Sequence, residues 1–281
     1  MLKFFKFGVL SSLIICSTQL LSLQYGLSAT RKNTVPLIKF AVFAERCSGS
    51  NYVESLLKLN FELVEDAYCH KHFPPWFTVQ RIAKQHKQYP LFEKNEDVLN
   101  IIVFRNPYDW VRSLHNLPWH AVKSLFNIPF SKFIRSEWKL NPKVPVIVEL
   151  AKYNSMLDIN PDTKKNFKNV FELRTAKIKT MLLIKSHVAN SYYVNYETVR
   201  DHPKEVIREI ASLFDVKANP VYQPVIYYKG KEEKGVYTKK KYSPMTVKDH
   251  AFINDSLNKK LEAEIGYKLL SYKELPQNAG D

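Results

Sequence analysis

VLNIIVFRNPYDWVRSLH, residues 98–115, decides the fold. Its first seven residues are nearly all apolar, which suits a parallel strand covered on both faces. Pro107 then stands where the first turn of a helix tolerates it, and Asn106 is placed to cap that helix. The stretch predicts a strand, a basic turn and a helix in succession. An earlier stretch repeats the order. VPLIKFAVFA at 35–44 reads as a buried strand, and ERCSGSN at 45–51 as a glycine-containing turn. Tyr52, Val53, Leu56, Leu57 and Leu59 then share one face of a helix.

Two strand–turn–helix units predict an α/β fold with a central, mainly parallel sheet between helical layers. Ligands of such sheets bind beyond the carboxyl ends of the strands, where both turns lie. Working outward, ELVEDA at 62–67 reads as a short strand, and Pro74 and Pro75 force a loop. Helices are expected around 119–126, 129–137 and 145–157, and a short strand at 170–174. The run 181–196 holds a further core strand ending in YYVNYE. Pro203 opens a helix capped by Asp201 or His202, with Val206, Ile207, Ile210 and Leu213 inward. A loop rich in tyrosine and lysine runs from 221 to 249. Ile253, Leu257, Leu261 and Ile265 mark one last helix.

The chain has 281 residues, 45% of them hydrophobic, and a formal charge of +15. That length and composition fit one large domain or two small ones with a real core. The charge implies anionic partners: nucleic acid, an anionic surface, or small phosphorylated or sulfated molecules. Lys3 and Lys6 precede an uncharged apolar stretch, so residues 1–29 read as a signal peptide or signal anchor, ahead of a body at 35–275. LSA at 27–29 is a candidate cleavage site. The expected placement is membrane-anchored with a lumenal or extracytoplasmic body, or secreted after cleavage. Cys16 lies in the leader. Cys47 and Cys69 either pair in an oxidising compartment or remain thiols. No CxxC occurs, which argues against a zinc ribbon.

The chemistry concentrates in the two turns. Gly49 lets backbone N–H groups approach an anion closely, and Ser50 and Asn51 start a helix whose dipole favours negative charge. Arg46 can add a bidentate contact to phosphate or sulfate. Arg105 leaves the second strand at its end, with Ser113 two helical turns on. Either the two grip a second phosphate, or Arg105 pairs with Asp109 and Ser113 satisfies a helix carbonyl.

With both turns in view, the chain resembles the sulfotransferases that use 3′-phosphoadenosine 5′-phosphosulfate, over roughly residues 38 to 270. RNPYDWVRS at 105–113 is similar to the family pattern R-N-P-x-D-x-x-x-S, whose arginine and serine hold the 3′-phosphate. SGSN at 48–51 resembles the loop for the 5′-phosphosulfate. NYE at 195–197, YKG at 228–230 and IGYKL at 265–269 are similar to later family segments. The resemblance implies a three-layer, P-loop-like fold and no metal. It also implies a cofactor site of Arg46, Cys47, Ser48, Gly49, Ser50, Asn51, Arg105, Ser113, Tyr196, Lys229 and Gly230. His72 in CHKHFPP resembles the catalytic histidine that accepts the proton of an attacking hydroxyl. His70, His115, His120 and His187 compete with it. Lys71 is the candidate for the bridging oxygen, and Arg46 for the sulfuryl oxygens. The sequence departs from the pattern at Cys47, where the family places a basic residue, and at Tyr228, where it places arginine.

The implied activity is sulfuryl transfer to a hydroxyl or amine of a carbohydrate, lipid or protein tyrosine, with carbohydrate placed first. A second class is a non-catalytic basic protein that binds acidic polysaccharide or nucleic acid. Against nucleic acid, no reader pattern or aromatic-spaced basic stripe is present. A nucleotide kinase or hydrolase would need GxxxxGK[ST], which the sequence lacks.

Overall fold

The structure is a computed structural model and describes residues 23–66, 70–74, 76, 95–150, 157–227, 231–238, 242 and 245–275. Its centre is one sheet of β1 (Ser28–Arg31), β2 (Lys39–Ala44), β3 (Val64–Glu65), β4 (Val98–Phe104) and β5 (Asn190–Asn195). The spatial order is β1-β5-β4-β2-β3. The last four are mutually parallel, and β1 alone runs antiparallel, pairing Ser28 with Tyr193 and Arg31 with Asn190.

Alternation along the strands sends successive side chains to opposite faces. Phe40, Val42, Leu99, Ile101, Val103, Tyr192 and Val194 meet one helical layer, made by α1 (Ser50–Asn60) and a helix at Pro203–Phe214. Phe43, Val98, Ile102, Phe104 and Tyr193 meet the other, made by a helix at Val170–His187. Both faces are covered, which is why β4 carries an almost unbroken apolar run. A third cluster packs Trp110, Val111 and Leu114 of α2 (Pro107–Asn116) against Phe133, Trp138 and Phe171. This is the expected three-layer α/β fold.

Several local expectations change. Val170–Arg174 is the first turn of the eighteen-residue helix at Val170–His187, not a strand. Asn169 explains it: its side chain accepts from the N–H groups of Phe171 and Glu172 at 2.9 and 3.0 Å. That helix also takes residues 181–187, so the core strand starts only at Asn190. The stretch 119–126 forms a single 3-10 turn at Lys123–Leu125, and 129–137 a one-turn helix at Phe130–Phe133. A helix at Pro145–Leu150 covers the start of 145–157, whose residues 151–156 lie outside the described residues. The last helix is two, Val247–Ser256 and Lys259–Glu264, because Asn258 caps the second by accepting from Leu261 N at 3.1 Å.

The folded body also reaches ahead of residue 35. Glu209 accepts from the backbone N–H groups of Gln24, Tyr25 and Gly26 at 2.7–2.9 Å, and β1 follows directly. The LSA stretch at 27–29 therefore lies within the sheet-forming body. Residues 1–22 and the cysteines Cys16 and Cys69 fall outside the described residues. Among the described residues no helix is long and apolar enough to cross a membrane.

Candidate active site

The turn that joins β2 to α1 is shaped by its backbone. Cys47 and Gly49 both take left-handed angles, φ 61° and 86°. Its carbonyls are held from behind: Trp110 Nε1 donates to Arg46 O at 2.9 Å, and Arg105 donates to Cys47 O at 2.8 Å. The N–H groups of Gly49, Ser50 and Asn51 find no acceptor among the described residues. Three free donors at the positive end of an eleven-residue helix make a cradle for an anion. Gly49 is also sterically required. A Cβ there would lie 2.1 Å from Cδ2 of Tyr196.

Gly49→Ala combines two costs. The left-handed backbone costs an alanine about 1–2 kcal/mol, and the forced shift of Tyr196 adds about 1–3 kcal/mol. Gly49→Ala in a Tyr196→Ala background supplies the control, because the backbone angle is the same and the ring that a Cβ would meet is gone. Chemical denaturation is expected to show a clearly larger loss for Gly49→Ala in the wild-type background. Equal losses would mean that Tyr196 yields without cost.

Gly49, Ser50 and Asn51 line a cavity of about 380 Å³ together with Arg105, Ser113 and Tyr196. The two turns thus open into one space. Arg105 makes no ion pair among the described residues, because Asp109 is taken by Arg112 at 2.8 Å and Asn106 at 3.0 Å. Arg105 instead lies over the Tyr196 ring at 5.1 Å and reaches Tyr242 Oη at 3.3 Å, and its buried Nε has no partner among the described residues. Its backbone is fixed from below, where Arg174 donates to Arg105 O at 2.8 Å while paired to Glu262. Of the two readings of Arg105, pairing with Asp109 is therefore not the one the structure adopts.

NYE and IGYKL act as pins. Glu197 accepts from Asn106 N and Nδ2 at 3.2 and 2.6 Å, and from the Tyr267 hydroxyl at 2.7 Å. These bonds lock the end of β5, the RNP turn and the C-terminal segment to one another.

Arg46 does not face the cavity, which corrects the expectation that it contacts the anion. It is fully buried and pairs with Glu45 at 3.1 Å and Asp158 at 2.8 Å. Lys177 completes a four-charge cluster by pairing with Asp158 at 2.7 Å. The guanidinium lies 4.4 Å over Phe73 and 5.4 Å from Trp138. Two carboxylates neutralise it, which is the condition for burying a charge against aromatic faces. Burial works against the charge of Asp158, but Arg46 and Lys177 outweigh it and hold its carboxyl below the usual range. Ser48 is likewise buried and is not part of the cavity wall.

His72 does line the cavity. Its Nδ1 lies 2.8 Å from Ala44 O. A carbonyl only accepts, so the proton sits on Nδ1 and the lone pair on Nε2. Burial, and then the Arg46 charge, hold its pKa well below 6.5, so the ring is neutral near pH 7. Its loop is anchored by Lys177 Nζ donating to His72 O at 2.9 Å and Ala44 N donating to Lys71 O at 3.0 Å. Lys71 lines the cavity as well, but its ammonium is engaged by Asn51 Oδ1 at 2.6 Å and by both Glu54 oxygens at 2.8–2.9 Å. Three acceptors match its three donors, so contact with a ligand oxygen requires an exchange of partners.

His70 and His120 join His72 at this wall, with ring centroids 5.6–6.3 Å apart. Burial lowers both to about 4, helped by the charge of Arg46. Folded, these rings refuse protons that the unfolded chain takes up below about 6.5. Stability is therefore expected to fall as pH drops from about 6.5 towards 4, and to be indifferent to these rings above that window. Melting curves of wild type and His70→Asn across pH 4–7 check this. The variant should lose less stability over the window, and parallel curves would contradict the assignment.

Lys229 and Gly230 lie outside the described residues. Cavity residues not singled out in the sequence include Tyr52, Trp119, Arg200, Tyr237 and Tyr242. Tyr52 sits on the apolar face of α1, and the two late tyrosines come from an irregular segment, so no spacing signal marks them. Arg200 is paired with Asp201 at 2.6 Å. Among the described residues no group of three His, Cys, Asp or Glu side chains is placed to hold a metal ion.

No family model matches the chain, and no curated protein does. Among solved structures, a sulfotransferase from Alicyclobacillus acidocaldarius is similar at 13% identity, with a TM-score of 0.46, over 85% of this chain and 100% of that one.

Proposed function

We propose that the chain is a sulfotransferase that moves a sulfuryl group from 3′-phosphoadenosine 5′-phosphosulfate to a hydroxyl or amine of a carbohydrate or other exported acceptor. The observation that carries this reading is the convergence of two unsatisfied cationic elements on one cavity. The N–H groups of Gly49, Ser50 and Asn51, with no acceptor among the described residues, stand at one turn, and the guanidinium of Arg105, with no carboxylate partner among them, at the other. Both suit a nucleotide with phosphate at each end of its ribose. When bound, that cofactor supplies a sulfuryl group that passes to the acceptor oxygen as the bond to the 5′-phosphate oxygen breaks and its electron pair stays on the phosphate.

The chain's own residues would bind, orient and deprotonate. The α1 amides hold the 5′ end, and Arg105 with Ser113 holds the 3′-phosphate. Tyr196, with its neighbour Tyr52 at a ring distance of 6.1 Å and edge-on, provides an aromatic wall. His72 Nε2 accepts the proton of the attacking hydroxyl. A transfer of this kind asks mainly for alignment and charge stabilisation, which fixed amides and a fixed guanidinium supply.

Calorimetry of the full chain with 3′-phosphoadenosine 5′-phosphate against adenosine 5′-monophosphate tests the reading. The bisphosphate is expected to bind about 30–1000-fold more tightly, since Arg105 and Ser113 both bond the 3′-phosphate and each charge-assisted hydrogen bond contributes about 1.5–3 kcal/mol. Equal affinities would remove the basis for the 3′-phosphate clamp. Tight binding of heparin or DNA with no nucleotide binding would favour the basic binding protein instead.

A further inference from the structure

We infer that His120 is a second working group of this cavity, a fixed hydrogen-bond donor that complements the base His72. The inference rests on the sulfuryl-transfer reading for its role but not for its geometry. Arg46 Nε donates to His120 Nδ1 at 3.2 Å. A guanidinium has no lone pair to offer, so His120 Nδ1 must be the acceptor, and the proton of the neutral ring lies on Nε2. His72 is held the other way round, with Nδ1 donating to Ala44 O and Nε2 without a partner among the described residues. Two imidazoles with centroids 6.3 Å apart on one cavity wall therefore carry opposite tautomers. One can take a proton, and the other can give a hydrogen bond to an oxygen on which negative charge develops.

The rest of the surroundings serves that arrangement. Arg46 cannot rotate away, because Glu45 and Asp158 hold its guanidinium and Phe73 packs on its face. This gives the buried charge cluster a use: it fixes the proton position of a ring at the cavity. His120 itself sits at φ 68°, a positive angle that histidine tolerates better than most side chains. The ring packs 5.5 Å from Phe73, and Asn141 N donates to His120 O at 2.8 Å. Its Nε2 has no partner among the described residues. Protonation of the ring, which would destroy the Arg46 bond, is opposed by burial and by the guanidinium charge.

The direct test is long-range proton–nitrogen NMR of the full chain labelled at histidine nitrogens, at pH 7, with signals assigned through His72→Gln and His120→Gln. His120 is expected as the Nε2–H tautomer and His72 as the Nδ1–H tautomer, both neutral. A His120 ring found as Nδ1–H or as imidazolium would overturn the inference, whatever the protein transfers. The second arm is kinetic. His120→Ala is expected to lower kcat about 100-fold, the scale of one lost donor to a developing charge, with affinity for 3′-phosphoadenosine 5′-phosphate within about threefold. His120→Gln, whose amide places an N–H near the Nε2 position, should recover at least about tenfold of that loss. An alanine variant that keeps kcat, or a glutamine variant no better than alanine at equal melting temperature, would overturn the donor role. Failure of wild type to bind the bisphosphate would instead count against the sulfotransferase reading, and the NMR result would still decide the tautomer.

Discussion

His72→Ala is expected to lower transfer by about 10²–10⁴-fold, the usual range for loss of a positioned general base. The affinity for 3′-phosphoadenosine 5′-phosphate should change little, because the cradle amides and Arg105 do not depend on the imidazole. The structure makes this separation specific. His72 is neutral without any activating partner, since burial and Arg46 hold its pKa well below 6.5. Its Nδ1 is committed to Ala44 O at 2.8 Å, so Nε2 is the nitrogen available to a ligand. His70 lines the same cavity, but its Nδ1 already accepts from His72 N at 3.3 Å. His72→Ala removes the ring without removing that backbone N–H, so His70 stays in place and does not substitute at once. Transfer of labelled sulfuryl from the cofactor to a panel of glycan acceptors gives kcat, and calorimetry gives affinity. An alanine variant with unchanged kcat would end the base role, and one that loses affinity and kcat in proportion would make His72 a binding residue.

The sheet and the place of the candidate cavity were legible because they rest on local patterns. VLNIIVF announces a doubly covered strand, and Pro107 and Asn106 announce the helix that follows: Asn106 Oδ1 accepts from Asp109 N at 2.8 Å as a cap should. Gly49 was legible as the residue that frees the turn. The errors at the site come from interactions outside the local motif, and those in the elements from local signals that composition hides. Arg46 looked like an anion contact because it adjoins the loop, yet its partner Asp158 lies more than a hundred residues away, in a segment without periodicity. Lys71 looked free, but Glu54 on α1 closes on it. Residues 170–174 suggested a strand by their apolar content, and a single cap from Asn169 made them helical. The N-terminal β1 was hidden in a stretch that reads as a leader, because an edge strand paired on one side needs no distinctive composition. The tyrosines at 237 and 242 reach the cavity from a loop, where no period points to a face.

Arg105→Ala is expected to weaken binding of 3′-phosphoadenosine 5′-phosphate by about 2–4 kcal/mol, or roughly 30–1000-fold, the cost of truncating one member of a buried charge pair. The size follows from what the guanidinium lacks. Among the described residues no carboxylate neutralises it, and its buried Nε has no partner. The free protein therefore carries an unmet demand for an anion, and a phosphate would satisfy both charge and geometry with a two-pronged contact. Binding of adenosine 5′-monophosphate should fall much less, because that ligand has no 3′-phosphate to lose. The comparison matters, since Arg105 also donates to Cys47 O at 2.8 Å and so supports the first turn. If both ligands weaken equally, Arg105 acts by holding the turn and not by touching the 3′-phosphate. Arg105→Lys separates the remaining possibilities. It keeps the charge but loses the fork and the stacking on Tyr196, so an intermediate affinity is expected. Full recovery by lysine would mean that charge alone is recognised, and an alanine variant as tight as wild type would leave the second turn without a role in binding.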